Sequence, residues 1–293
     1  MTEFVNPFFS HQMNVPDGVN LMANTSVLAV SIPLAPVTLA FGPQAAFKVF
    51  LTAGLIATAV SWYLVLSRHL VASRFAAWVG ALFAAFAPSM VSHANGHPNI
   101  VAQFVVPLII WRALRLREPG RWLRNGLILG LLIVWQAFIN LEILLMTAVG
   151  LGVFVAVVAL LRPNYRRHVG SFLAGLVVAA AAALLALAYP LHVLFFGPQA
   201  YHGLSDNIRA YGADVASFFA FSRESVTGSI QPPRGLAQNA SEENAFFGLP
   251  LVVLVAAVVW WLRRQAVVVA LAVTGLLFAV LSLGPTIRIR GRD

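Results

Sequence analysis

The 293-residue chain contains no cysteine, which excludes disulfides and thiolate metal sites and leaves the redox compartment open. Charge is scarce: 10% of residues are Asp, Glu, Lys or Arg, against roughly 25% in a soluble domain. Residues 1–24 hold no Lys or Arg, so the basic start of a signal peptide is missing. No P-loop, GxSxG, HExxH or dinucleotide fingerprint occurs, so the function classes those motifs carry find no support. No convincing internal repeat is present either.

What the chain has is apolar length. Hydrophobic residues make up 60% of it, and the mean hydropathy is +0.83. Runs of about 17 to 25 apolar residues match a helical bilayer crossing. Ala, Leu and Val dominate them without strict alternation, so they read as helices rather than barrel strands. The runs fall near 45–66, 75–91, 100–116, 125–139, 143–161, 169–192, 245–262 and 266–283. The fold expected is all-α: one polytopic transmembrane bundle over 1–293 with about eight spans, six of them within 45–192 and two within 245–284. Residues 1–24 read as an outer loop and 197–244 as a long outer loop. Residues 25–42, broken by Pro33 and Pro36, suit a short juxtamembrane helix.

The net charge of +9 is distributed by loop, which argues for membrane topology and against nucleic acid. Arg68, Arg74, Arg112, Arg115, Arg117, Arg121, Arg124, Arg162, Arg166, Arg167, Arg263 and Arg264 lie on alternate loops that share one acid, Glu118. The opposite loops hold Glu3, Asp17, Glu142, Asp206, Asp214, Glu224, Glu242 and Glu243. Lys and Arg accumulate on the cytoplasmic side, so the acidic set faces outward, provided 25–42 does not span. The expected location is the inner (cell) membrane, multi-pass.

Polar groups gather at few places. The corner HANGHPN brings His93, His97 and Asn99 between two apolar runs, followed by Gln103. His93 and His97 have i,i+4 spacing, which on an unbroken helix suits a metal. Gly96 and Pro98 oppose that helix, and no third ligand is near in sequence, so no metal site is assigned; the pair reads as substrate contacts or as loop polar groups. Gln136, Asn140 and Glu142 lie within or beside spans, where polar groups invite a functional reading. Asp17 belongs to a Pro-Asp-Gly turn, a structural use of Asp. The 197–244 loop is longer than ordinary connections. It joins aromatics to acids and amides, as suits sugar binding, and its Arg209, Arg223 and Arg234 suit a phosphate.

Residues 6–50 resemble the first outer loop and following segment of bacterial polytopic glycosyltransferases of the GT-C superfamily. The likeness is carried by Asn6-Pro7-Phe8, Pro16-Asp17-Gly18-Val19-Asn20-Leu21, the Pro-interrupted short helix and Phe41-Gly42-Pro43. The HANGHPN corner with Gln103 and Pro107, and Ser241–Val252, extend it over most of the chain. The resemblance implies sugar transfer from a polyprenyl-phosphate donor at the outer face. An outer-loop carboxylate (Asp17, Glu242 or Glu243) would be the base, His93, His97, Asn99, Gln103, Arg209 and Arg234 would bind substrate, and cationic groups or a divalent cation would assist. The superfamily places a first helix and an acidic residue ahead of the NPFF-like segment. Their lack here, and the Gly-Arg-Asp end, lead to the expectation of a fragment. The alternatives are a transporter or flippase and a non-catalytic membrane scaffold. Oligomeric state is left open.

Overall fold

Proline decides where many of the helices start. Pro36, Pro43, Pro88, Pro98, Pro107 and Pro250 each occupy the first turn of a helix, where the missing N–H costs nothing and the fixed φ already fits. The computed structural model describes residues 6–24, 27–203, 211–230 and 236–291 and is all-α apart from one small ribbon. In that ribbon β1 (Phe9–Ser10) pairs antiparallel with β2 (Val19–Asn20), Phe9 opposite Asn20.

The juxtamembrane stretch forms two short pieces, α1 (Leu28–Ser31) and α2 (Ala35–Phe41). They are followed by α3 (Pro43–Val65), α4 (Arg74–Phe86), α5 (Pro88–His93), α6 (Pro98–Val101), α7 (Val106–Arg115), α8 (Trp122–Ala137), α9 (Leu141–Leu161) and α10 (Val169–Phe196). After the short α11 (Val226–Ile230) come α12 (Leu249–Trp261) and α13 (Ala266–Ser282). Among the described residues four stretches are long and apolar enough to cross a membrane: Pro43–Leu70, Arg74–His93, Leu141–Leu161 and Pro163–Phe196. Helices α8, α12 and α13 are apolar but shorter.

The span expected at 100–116 is not one helix. It breaks into α6 and the ten-residue α7, whose rise of about 15 Å is half the roughly 30 Å hydrocarbon layer. Thr58 holds the break open: its Oγ1 donates to the Val101 carbonyl (3.2 Å) and accepts from the Gln103 N–H (3.1 Å). Pro107, which has no N–H to donate, sits in the first turn of α7, just past the break.

Small residues set the helix contacts. A Cβ on Gly126 would fall 2.6 Å from the Gly175 carbonyl oxygen, and one on Gly130 would fall 2.8 Å from Ala182 Cβ. These glycines stand four apart on α8 and face Gly175, Ala179 and Ala183 on α10, so two backbones approach as in small-xxx-small pairs. Ala77, Ala81 and Ala85 form a similar buried stripe on α4. The core joins Phe50, Ala102, Val105, Ile109, Leu116, Leu129, Ile139 and Ala179. By contrast α9 and α12 bury no residue. Leu144 and Leu151 of α9 pack on the core and Gly150 lies against Phe278 of α13, but much of the apolar surface of α9 and α12 stays exposed, as expected of helices facing lipid tails.

The polar contacts sort to two ends of the bundle. At one end Asn20 meets the 193–199 segment, Ser92 meets Glu224, and Asp214 meets residues 290–291. At the other Arg112 meets Asn125, Arg115 meets Glu118, and Arg117 covers Tyr165. We call these the acidic end and the arginine end.

Candidate functional site

The N-terminal loop is pinned to the acidic end by Asn20, which is wholly buried. Its Nδ2 donates to the carbonyls of Val193 (2.9 Å) and Pro198 (2.8 Å), and its Oδ1 accepts from the N–H of Met22 and Ala23. Gln199 adds bonds to the Gly18 and Asp17 carbonyls. Asp17 therefore serves this docking through its main chain. Its side chain is exposed on the turn and makes no hydrogen bond or ion pair among the described residues. A catalytic Asp17 would act apart from the polar cluster described next.

That cluster forms where α5 ends. Buried Ser92 lies 2.9 Å from the Ser241 carbonyl and 3.2 Å from Glu224 Oε2, and Asn95 Nδ2 donates to the same carboxylate at 3.3 Å. These contacts bring Glu224 and Ser241 onto the HANGHPN corner. One α-turn bond from the His97 N–H to the His93 carbonyl (2.8 Å) precedes the break at Pro98. The two imidazoles consequently meet, Nδ1 to Nδ1 at 3.5 Å with rings nearly perpendicular. Glu242, Glu142 and Glu224 lie close enough to act on the charge of His93, as does His97. Glu224 is the carboxylate bonded to this corner, through Ser92 and Asn95, whereas Glu242 and Glu142 reach His93 through their charge alone.

Glu243 takes a different part from the one expected of a base. Only 4% exposed, it accepts the Arg223 N–H at Oε2 (3.0 Å) and Arg223 Nε at Oε1 (2.8 Å), with the guanidinium Nη2 also on Oε1. Both oxygens are occupied, so Glu243 closes the 223–243 loop as a clamp. Glu242, half-buried beside it, makes no side-chain hydrogen bond or ion pair among the described residues and acts on His93 through its charge; Asn239 Oδ1 caps its turn, accepting the Glu242 N–H at 3.2 Å. Gln103 is likewise structural: its Nε2 donates to the Ile100 carbonyl (3.0 Å) and contacts Met90 Sδ. Arg209 and Arg234 lie outside the described residues.

A cavity of about 180 Å³ opens beside the cluster, lined by Leu21–Asn24, Val27, Asn99 and Ala137–Glu142. Asn140 shapes it by capping α9 through Oδ1 to the Ile143 N–H (3.0 Å), the usual use of Asn before an apolar run. Behind it Gln136 is fully buried, and its Oε1 has no hydrogen-bond partner. Val27 has φ +45, a strained backbone for a β-branched residue, at the cavity wall. Of the residues that line this site, Glu142 is signalled by its place next to an apolar run. Glu224 and Ser92 carry no such signal, because their partners are 129–149 positions away.

Among the described residues no three His, Asp or Glu side chains converge as a metal site requires. The residues present therefore do not fit a protein-held divalent cation, and no step below is routed through one. Elsewhere at this end buried Asp214 accepts three backbone N–H groups, from Ala216 (2.7 Å), Arg290 (2.9 Å) and Gly291 (2.7 Å). Burial opposes its ionisation, but those bonds and the Arg288 charge prevail and hold its carboxyl below the ordinary aspartate range.

No curated protein and no solved structure matches the chain. The profile described as a domain of unknown function, DUF6311, matches residues 3–293. The chain belongs to the DUF6311 family.

Proposed function

We propose that the chain is a multi-pass inner-membrane protein whose acidic end faces the extracytoplasmic side and transfers a sugar from a polyprenyl-phosphate donor to an acceptor hydroxyl. The four long stretches and the shorter apolar helices α8, α12 and α13 supply seven of the about eight crossings proposed, and the broken α6–α7 segment would be the remaining one. The observation that supports the reading is a polar corner, where His93 meets His97 and Ser92 and Asn95 hold Glu224, beside a cavity lined by Asn99 and Glu142. In the sequence this corner carries part of the likeness to GT-C glycosyltransferases.

The transfer asks for a base on the acceptor hydroxyl and for charge stabilisation of the departing lipid phosphate. Glu242, or His93 backed by Glu242, takes the hydroxyl proton as the acceptor oxygen bonds to the anomeric carbon. The bond from that carbon to the phosphate oxygen breaks, and the phosphate leaves with the electron pair. Asn99 and Glu142 line the space for sugar hydroxyls. Arg209 and Arg234, on the same loop, are the cations proposed for the phosphate.

Membranes containing the full chain, supplied with radiolabelled polyprenyl-phosphate sugar, test this directly. Glu242→Gln and His93→Ala should each lower the transfer rate by about 10²–10⁴-fold, the usual weight of a general acid or base. Rates within about twofold of wild type for both would sink the proposal. The interrupted run α5–α6–α7 favours a second reading, a transporter, since broken helices often line transport sites. A transporter would move the lipid-linked sugar across sealed vesicles without forming a glycosylated product.

A further inference from the structure

A cavity of about 910 Å³ lies at the arginine end, between the 117–119 loop, the 161–168 segment and the start of α13. It is lined by Arg117, Arg162, Arg167 and one acid, Glu118. That acid is already neutralised: Arg115 reaches both its oxygens, Nε to Oε1 at 2.7 Å and Nη2 to Oε2 at 3.0 Å. Arg166, which points elsewhere, is spent on the carbonyls of Ala159 and Leu160 at the end of α9. The three lining arginines keep donors available. Arg117 is steadied over the Tyr165 ring (5.0 Å), Arg167 uses its Nε on His168 Nε2 (3.2 Å), and the Arg162 side chain makes no hydrogen bond or ion pair among the described residues. Gln265, Ala266 and Val267 also line the cavity. Gln265 gives α13 no side-chain cap, so first-turn N–H groups add to the positive field.

The cavity does not end in solvent alone. Arg117, Tyr165, His168 and Val158 also border a second, mostly apolar groove, walled by Phe154, Val155 and Phe172. A cationic cradle running into an apolar groove suits one molecule with a phosphate at one end and hydrocarbon at the other. A free phosphate or nucleotide would use the first part and waste the second.

We infer that the arginine end binds a phospholipid with an anionic headgroup, its phosphate among Arg117, Arg162 and Arg167 and part of an acyl chain in the Phe154–Phe172 groove. The inference rests on the membrane reading above, with this end at the cytoplasmic interface. It differs from general attraction to an acidic bilayer, which every exposed arginine shares. Arg263 and Arg264 provide the contrast: they sit on a neighbouring loop of the same end, with Arg263 over the Trp260 ring and bonded to its carbonyl.

The test is lipid retention by the full chain in detergent, read by native mass spectrometry during titration with phosphatidylglycerol or phosphatidylcholine. Phosphatidylglycerol should be retained selectively. The double variant Arg162→Gln/Arg167→Gln should weaken it by about 25-fold, about fivefold for each arginine. Arg263→Gln/Arg264→Gln should leave it within about twofold. Val158→Trp, which fills the groove and keeps the arginines, should also release the lipid, and it stands in if the double variant fails to fold. Equal losses in the two arginine pairs, equal retention of phosphatidylcholine, or full displacement by millimolar inorganic phosphate would each overturn the inference. Failure of the membrane reading itself would be seen earlier, as a chain that stays dispersed when detergent is removed without lipid.

Discussion

The two ends of the bundle hold their charges in opposite ways. At the acidic end carboxylates are engaged across long stretches of chain: Glu243 by Arg223, twenty residues away, and Asp214 by residues 76 and 77 positions later. The carboxylates so held are nearly inaccessible. At the arginine end the bonds are mostly local, Arg115 to Glu118, Arg167 to His168 and Arg263 to the Trp260 carbonyl; Arg167 and Arg263 are exposed, and Arg115 and Glu118 are partly so. Long-range buried contacts fix geometry, as a reacting site demands. Local exposed ones leave guanidinium groups ready for a partner that arrives from outside.

The strongest way to break that contrast is Arg223→Ala. It strands a buried carboxylate, which costs about 3–5 kcal/mol for a fully buried pair. The lower end applies because Arg223 is itself 42% exposed. Chemical denaturation in detergent should show a loss of about 3 kcal/mol, largely restored by adding Glu243→Gln. A loss below about 1 kcal/mol would mean the acidic end is no more built than the other. Next in size is Gly126→Val, which drives a side chain into the Gly175 carbonyl between α8 and α10. Overpacking of this kind costs about 1–3 kcal/mol, felt equally at both ends, so a change confined to one end would count against a shared scaffold.

Asp214→Ala sharpens the comparison locally. It leaves three backbone N–H groups without their acceptor and should cost about 1–3 kcal/mol. Hydrogen exchange at residues 290–291 should rise while the arginine end is unchanged. The same tether is pH-dependent. Its folded pKa is depressed, so its stabilisation is full above the unfolded aspartate value of about 4 and is lost as pH falls through the lower folded value. Faster exchange of the tail on going from neutral pH to pH 5, after correction for intrinsic rates, would contradict this assignment.

Much of the helical frame is legible in the apolar runs. The 143–161 and 169–192 stretches reappear as α9 and α10 with ends shifted by a few residues, and the prolines at 33 and 36 do split the juxtamembrane segment. The 100–116 run misleads because hydropathy does not register Thr58, which stabilises the break from another helix. The site is legible only where it is local. His93 and His97 meet because they are one turn apart, and Asn140 caps because an apolar run follows it. Nothing in Glu242-Glu243 tells which carboxylate is clamped and which is left unbonded among the described residues. That is decided by Arg223, whose distance in sequence carries no pattern.

The smallest expected effect tests the other side of the contrast. Arg115 and Glu118 form a two-point ion pair with good geometry, yet both side chains are partly exposed, 26% and 34%. Exposed pairs are worth roughly 0–1 kcal/mol because water and salt compete with them. The Arg115 hydrogen bonds hold the Glu118 carboxyl below its ordinary range, and its contribution is therefore present above about pH 4 and lost on acidification. Arg115→Ala should cost less than about 1 kcal/mol, and 0.5 M salt should erase most of the difference from wild type. The same substitution should have a second consequence that the acidic end cannot imitate. Freed from Arg115, Glu118 turns its charge on the cavity it lines and should weaken an anionic headgroup there. A stability loss near that of Arg223→Ala, insensitive to salt, would show that the arginine end is held by its charges after all.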